Sequence, residues 1–190
     1  MEEILKKIAD FADKAHDTQK RKYAPDRYIV HPIRVMEMCR KHSDDLCILA
    51  AALLHDVLED TPVQKDKLRD FLLTLMNPPM TDKVLAMVTD LTDVYVKKDY
   101  PHLKRRVRKN KELQRLEKTS AGSQTIKYAD IIDNTGEIVN EDPDFAPVYL
   151  HECKATLRKL DKGNTALQQQ AIETVDDQLL LLKKREGTRY

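Results

Sequence analysis

Tryptophan is absent from this chain, glycine occurs only four times in 190 residues, and aromatic residues make up 5%. Leu, Ala, Lys, Glu, Gln and Arg take their place, a set that favours helix. No stretch shows a convincing strand pattern, an internal repeat or an interdomain linker. The three cysteines, Cys39, Cys47 and Cys153, lack CxxC spacing. So odd and sparse a set argues against a disulfide framework and fits a reducing compartment. Met1-Glu-Glu-Ile-Leu-Lys-Lys7 is acidic and then amphipathic, without the apolar core of a signal peptide. No apolar run is long enough to span a bilayer. These absences predict a cytoplasmic protein with no membrane partner. The net charge of +1 adds no argument for nucleic acid or membrane.

The length fits one domain, residues 1–190, with a sizeable core. Hydrophobic content of 41% beside 34% charged residues is that of a globular chain and not a disordered one. Ile4, Ile8, Phe11, Ala12 and Ala15 recur at helical spacing and predict a helix over 2–19. A loop follows to residue 30, and His31-Pro32 opens the next helix. Ser43 or Asp44 is placed to cap a third. That helix is expected to end at Thr61-Pro62, and its residues 46–58, apolar nearly all round, read as the buried centre of an all-α bundle. Further helices are expected near 64–75, 82–92, 102–118, 121–139, 145–161 and 165–185, with Asn77-Pro-Pro-Met80 separating two of them. Leu167, Ala171, Ile172, Val175, Leu179 and Leu182 give the last helix an apolar stripe. The stripe reads as core, and the oligomeric state stays open, a homodimer included.

Charge is unevenly distributed. Lys97 to Lys118 holds ten Lys or Arg against three acidic residues, a local +7 that leaves the remainder at −6. Such a block is either a solvated helix face or a means of concentrating a phosphorylated ligand. It shows no recognised nucleic-acid motif and no interleaved aromatic platform, which weighs against nucleic acid as a partner.

The densest chemistry lies in Ala50-Ala-Ala-Leu-Leu-His55-Asp56-Val-Leu-Glu59-Asp60-Thr61. An imidazole and a carboxylate inside an apolar run need partners, and a divalent metal ion is one. Helical spacing aligns His55 with Glu59 and Asp56 with Asp60. His31 and Asp130 could close the site from neighbouring helices. Two imidazoles and two carboxylates suit Mn²⁺, Fe²⁺, Zn²⁺ or Co²⁺. Such an ion would acidify water and polarise a phosphoryl oxygen, and Glu59 or Asp60 could serve as general base or orient the attacking water. Together these residues suggest a metal-dependent hydrolase.

The same residues resemble a known family. His31, His55-Asp56 and Asp130 follow the H…HD…D metal pattern of the HD phosphohydrolases. The resemblance is closer to the (p)ppGpp hydrolase domains of Rel/SpoT-type proteins and to stand-alone small alarmone hydrolases. Their A-H-x-x-Q-x-R-K appears as Ala15-His-Asp-Thr-Gln19-Lys-Arg21-Lys22, and Y-x-x-H-P as Tyr28-Ile-Val-His31-Pro32. Their A-A-L-L-H-D-x-x-E-D-T appears over residues 51–61, V-T-D at Val88-Thr89-Asp90, and K-x-A-D-x-x-x-N as Lys127-Tyr-Ala-Asp130-Ile-Ile-Asp-Asn134. The matches run in order over about residues 11–138, with C-terminal helices at about 145–185.

The resemblance implies a helical HD domain with Mn²⁺ held by His31, His55, Asp56 and Asp130, and water activation by Glu59 and Asp60. It assigns Arg21 and Lys22 to the guanine base and Asn134 to the ribose, and Tyr28 and Lys127 join them as substrate-binding candidates. Lys97, Lys98, Lys104 and Arg105 are candidates for phosphate. The implied reaction is hydrolysis of the 3′-pyrophosphate of ppGpp or pppGpp to GDP or GTP and pyrophosphate, by a stand-alone hydrolase without a synthetase domain. Three departures lie where nucleotide identity would be read. The S-G-E-P loop becomes Tyr23-Ala-Pro-Asp-Arg27, Ile131 follows Asp130 where a basic residue is usual, and N-x-R-T becomes Asn134-Thr-Gly-Glu137. They motivate an alternative, a phosphohydrolase of another phosphorylated nucleotide. A nucleotide-binding module without turnover is the second alternative.

Overall fold

The computed structural model describes residues 1–22 and 24–187. Ten helical segments and no strand occur among them: α1 Glu2–His16, α2 Val30–Arg40, α3 Leu46–Leu54, α4 Val57–Asp60, α5 Lys65–Leu73, α6 Pro78–Leu91, α7 Arg105–Leu116, α8 Ala121–Glu141, α9 Ala146–Leu157 and α10 Thr165–Gly187. The all-α expectation holds, with one isolated bridge between Lys20 and Arg27 in the loop after α1. No helix of the described residues is long and apolar enough to cross a membrane.

α3 is the centre. It packs on α1, α2, α6 and α8, and every residue from Leu49 to Leu54 is buried. An Ala-rich helix lets its neighbours approach closely on all sides, which is why it carries no polar face. α8 lies against α2, α6 and α10, and α9 packs beside α8 and α10. Leu167, Ala171, Val175 and Leu182 of α10 are buried, so its stripe is core. The hydroxyl of the buried Tyr128 on α8 donates to Leu160 O at 2.8 Å, fastening α8 to the segment after α9.

Several boundaries differ from the expected ones, each for a local reason. α1 stops at His16 because Asp17 turns to φ 48°. The cap of α3 is Asp45 rather than Ser43 or Asp44, its side chain accepting from Cys47 N at 2.8 Å. Asn77-Pro-Pro lies at the boundary between α5 and α6 as expected, but its prolines belong to the second helix: Asn77 accepts from Met80 N at 3.1 Å and Pro78 takes the first position of α6, where a missing N–H costs nothing. The basic helix begins at Arg105, not 102. The most consequential difference is that the single helix expected to run from 46 to Thr61-Pro62 is broken at His55-Asp56.

Candidate metal centre and nucleotide cleft

The break between α3 and α4 lets both residues of the pair face the same point. Asp56 adopts φ −98° and ψ −6°, the bridge region where active-site residues are often found. α2 delivers His31 and α8 delivers Asp130. His31 Nε2 lies 3.2 Å from His55 Nε2, 3.3 Å from Asp130 Oδ1 and 3.5 Å from Asp56 Oδ2. His55 Nε2 lies 3.0 Å from Asp56 Oδ2 and 3.8 Å from Asp130 Oδ1. Bonds of about 2.0–2.2 Å to Zn²⁺-like ions place adjacent ligand atoms roughly 3–3.5 Å apart, so the donor set has the spacing of a metal site. His31, His55 and Asp56 form a group whose ligand atoms lie within 4.8 Å of one another and could hold an ion. Asp130 adds its oxygen on the His31 side.

The outer contacts fit the same purpose. His55 Nδ1 donates to Ala52 O at 2.8 Å. A carbonyl can only accept, so a neutral His55 presents its Nε2 lone pair to the centre. His31 Nδ1 pairs with Asp133 Oδ2 at 2.7 Å, and Arg34 grips Asp133 with Nε at 2.6 Å and Nη2 at 3.0 Å. Asp130 is held by Lys127 Nζ at 2.8 Å and Asn134 Nδ2 at 2.6 Å. Tyr28 donates to Asp56 Oδ2 at 2.6 Å.

Electrostatics at this point favour positive charge. Burial opposes protonation of His55, but Asp56 and then Asp130 outweigh it and hold its pKa well above the usual range. For His31 burial is likewise outweighed by Asp130 and Asp133, and its pKa rises. Burial would raise Asp130, yet Lys127 and the two imidazoles hold it well below the ordinary carboxylate range. Glu59 behaves differently. Its side chain reaches solvent, but its carboxyl lies in the cleft, where withdrawal from water, then Asp93 and Asp56, push its pKa up to about 7. Asp93 N donates to Glu59 Oε2 at 2.7 Å and fixes the carboxylate.

Glu59 and Asp60 line a cleft of about 180 Å³ with Tyr28, His55, Asp56, Asp93, Lys127, Asp130 and Asn134. A second cavity of about 280 Å³ shares Tyr28 and Asn134 with it and is lined also by Arg21, Lys22, Glu137, Phe145 and Tyr149. The candidates therefore gather in two adjoining spaces. Their contacts divide them: Lys127 and Asn134 touch Asp130, Tyr28 touches Asp56, and Arg21 binds Asn134 Oδ1 at 3.0 Å and Glu137 Oε2 at 3.1 Å. Lys22 is exposed and reaches Asp142 Oδ2 at 3.2 Å. Of the phosphate candidates, Arg105 lines a third cavity with Lys109 and Lys127 but is held bidentately by Glu152. Lys97, Lys98 and Lys104 are exposed and line none of these three spaces. Tyr23, in the altered loop, lies outside the described residues.

Asp133, Arg34 and Glu137 escaped the reading of the sequence. Each looks like a solvated charge on its own. A signal existed in spacing: Arg34 follows His31 by three, and Asp133 and Glu137 follow Asp130 by three and seven, so each pair shares a helix face.

Fold and site together define an all-helical protein whose paired histidines and carboxylates converge on one point, where an ion could be held, beside a cleft of about 180 Å³. The family model of the HD domain matches residues 28–135, and the chain belongs to that family. It is 31% identical over 137 residues to the Homo sapiens guanosine-3′,5′-bis(diphosphate) 3′-pyrophosphohydrolase MESH1, covering 70% of this chain and 69% of that protein. A 58-residue stretch, 30% of this chain, is 41% identical to the bifunctional (p)ppGpp synthase/hydrolase RelA of Mycobacterium tuberculosis, of which it covers 8%. Among solved structures, one described as a metazoan ortholog of SpoT that hydrolyzes ppGpp superimposes with a TM-score of 0.74 at 23% identity, over 92% of this chain and 94% of that one. That likeness speaks for the fold.

Proposed function

We propose that this protein hydrolyses the 3′-pyrophosphate of guanosine tetra- or pentaphosphate, releasing GDP or GTP and pyrophosphate, with Mn²⁺ held by His31, His55, Asp56 and Asp130. The observation that carries the reading is the convergence of those four side chains at the head of a cleft that also holds Glu59 and Asp60 and adjoins a base-sized cavity. The likeness to MESH1 supports the substrate.

The bound ion supplies Lewis-acid chemistry, acidifying water and polarising a phosphoryl oxygen. The chain's residues do the rest. Glu59, poised near neutral pH, takes the proton of the attacking water, and Asp60 orients that water. The new P–O bond forms as the bond to O3′ breaks, the pyrophosphate leaves, and O3′ takes up a proton from solvent to become the free hydroxyl. Lys127 and Asn134 fix Asp130. Arg21, Lys22 and Tyr28 receive the nucleoside, with Tyr149 and Phe145 closing the cavity. The whole chain acts as one cytoplasmic HD unit, and every proposed site residue comes from a single copy.

The test is ppGpp turnover by metal-stripped protein with and without added Mn²⁺, following GDP and pyrophosphate by chromatography. Formation of both only with metal is the expected result. No product despite measured Mn²⁺ binding would overturn the alarmone as substrate and leave other phosphorylated nucleotides to be tried.

A further inference from the structure

The end of α1 joins three unusual features: a strained residue, a buried histidine, and an amide that reaches into the acidic cleft. Asp17 has φ 48° and ψ −115° and is the one non-glycine residue with positive φ among those described. Gln19 N donates to His16 O at 2.9 Å and closes a four-residue turn. Its second residue has type II′ dihedrals, where glycine is usual. Strain of this kind persists only where the surroundings enforce it.

What the turn achieves is the placement of Gln19. Its Nε2 donates to Asp60 Oδ2 at 3.2 Å, and its Oε1 lies 2.9 Å from His16 Nδ1. A carboxylate can only accept, so the amide nitrogen faces Asp60 and the amide oxygen faces the imidazole. His16 Nδ1 must then carry the proton. The remaining nitrogen, Nε2, is buried without a hydrogen-bond partner among the described residues. His16 is 4% exposed. Its ring stacks on Tyr28 with centroids 4.4 Å apart, and Tyr28 donates to Asp56. One imidazole thus backs two carboxylates of the cleft, Asp60 through Gln19 and Asp56 through Tyr28.

We propose that the His16–Gln19 turn is a positioning device: Gln19 holds the Asp60 carboxylate in the orientation used for water activation, and His16 locks the direction of the Gln19 amide. This rests on the role proposed above for Asp60.

The test has an arm that needs no turnover. ¹⁵N NMR of the full-length protein reports which ring nitrogen of His16 carries the proton. The Nδ1–H tautomer is expected in the wild type. Asp60→Ala frees the Gln19 amide to turn over, so the tautomer lock at His16 should be lost through Gln19. An Nε2–H tautomer in the wild type, or a His16 unmoved by Asp60→Ala, would overturn the proposal. In the kinetic arm, Gln19→Ala should lower kcat about tenfold or more, the scale of outer-shell partners, with KM and Mn²⁺ affinity within about twofold of wild type. An unchanged kcat, or a loss that follows Mn²⁺ affinity, would reject the positioning role. Absence of ppGpp turnover by the wild type would instead reject the function proposed above, and the NMR arm would still decide whether the device exists.

Discussion

Glu59 and Asp60 are neighbours in sequence but are held by different parts of the chain, Glu59 by the backbone at Asp93 and Asp60 by the amide of Gln19. A general base must first lose its own proton. With Glu59 near pH 7 in the free protein, kcat/KM should therefore rise through neutral pH and level off above it. Glu59→Gln should lower kcat by about 10²–10⁴ and remove that rise while Mn²⁺ binding stays. A pH–rate profile of both proteins checks this, and a rise that survives the substitution would rule out Glu59 as the group. Asp17 offers a second test at this scale. Asp17→Gly relieves the positive φ and should stabilise the fold by about 1 kcal/mol, a Tm increase of about 2–4 °C for a chain of this size; calorimetry would detect it. At single residues the legible part of the site is the part in conflict with its surroundings. His55 and Asp56 stand out because their neighbours are apolar. Asp133 does not, because an acid on a mixed helix face is ordinary until Arg34 and His31 are seen to meet it.

At the scale of elements, α8 does the most for the site. Lys127, Asp130, Asp133, Asn134 and Glu137 share one face, so a single helix brings a proposed ligand, its two clamps and the acid behind His31. Asp133→Asn keeps the shape but weakens the hold on His31. Mn²⁺ affinity should fall by about 10–100-fold with the helical circular dichroism unchanged, and unaltered affinity would show that Asp133 does not support the centre. The break between α3 and α4 explains why boundaries were harder to read than elements. No glycine or proline marks it. Beside the local bond of His55 to Ala52 O, it is held by contacts that only the folded chain supplies, Asp56 drawn toward Tyr28 and His31. The N-caps, by contrast, are local, and Asp45 lies within two residues of the expected positions.

For the molecule as a whole, the four proposed ligands tie α2, the α3–α4 junction and α8 together across the bundle. An ion that binds only the folded arrangement stabilises it by mass action, about 2.7 kcal/mol at a hundredfold excess over Kd. Added Mn²⁺ should raise Tm by roughly 5–10 °C, a chelator should reverse the shift, and an unbuffered titration should show protons released as the imidazoles, whose pKa is held up, take the metal. A Tm indifferent to both would mean that no ion binds there. The all-helical architecture was legible because periodicity and composition agree along the chain. The gathering of residues 21, 28, 134 and 137 around one cavity was not, since no local pattern encodes which helix faces which. The order of the ligands along the chain also has a consequence during synthesis. Chains emerge from the ribosome N-terminus first. His31, His55, Asp56 and the acid pair emerge long before Asp130, which follows Asp60 by about seventy residues. A nascent chain halted before α8 therefore carries three of the four proposed ligands and both acids with nothing to close them, and on this reading hydrolytic competence arrives only when that late helix docks.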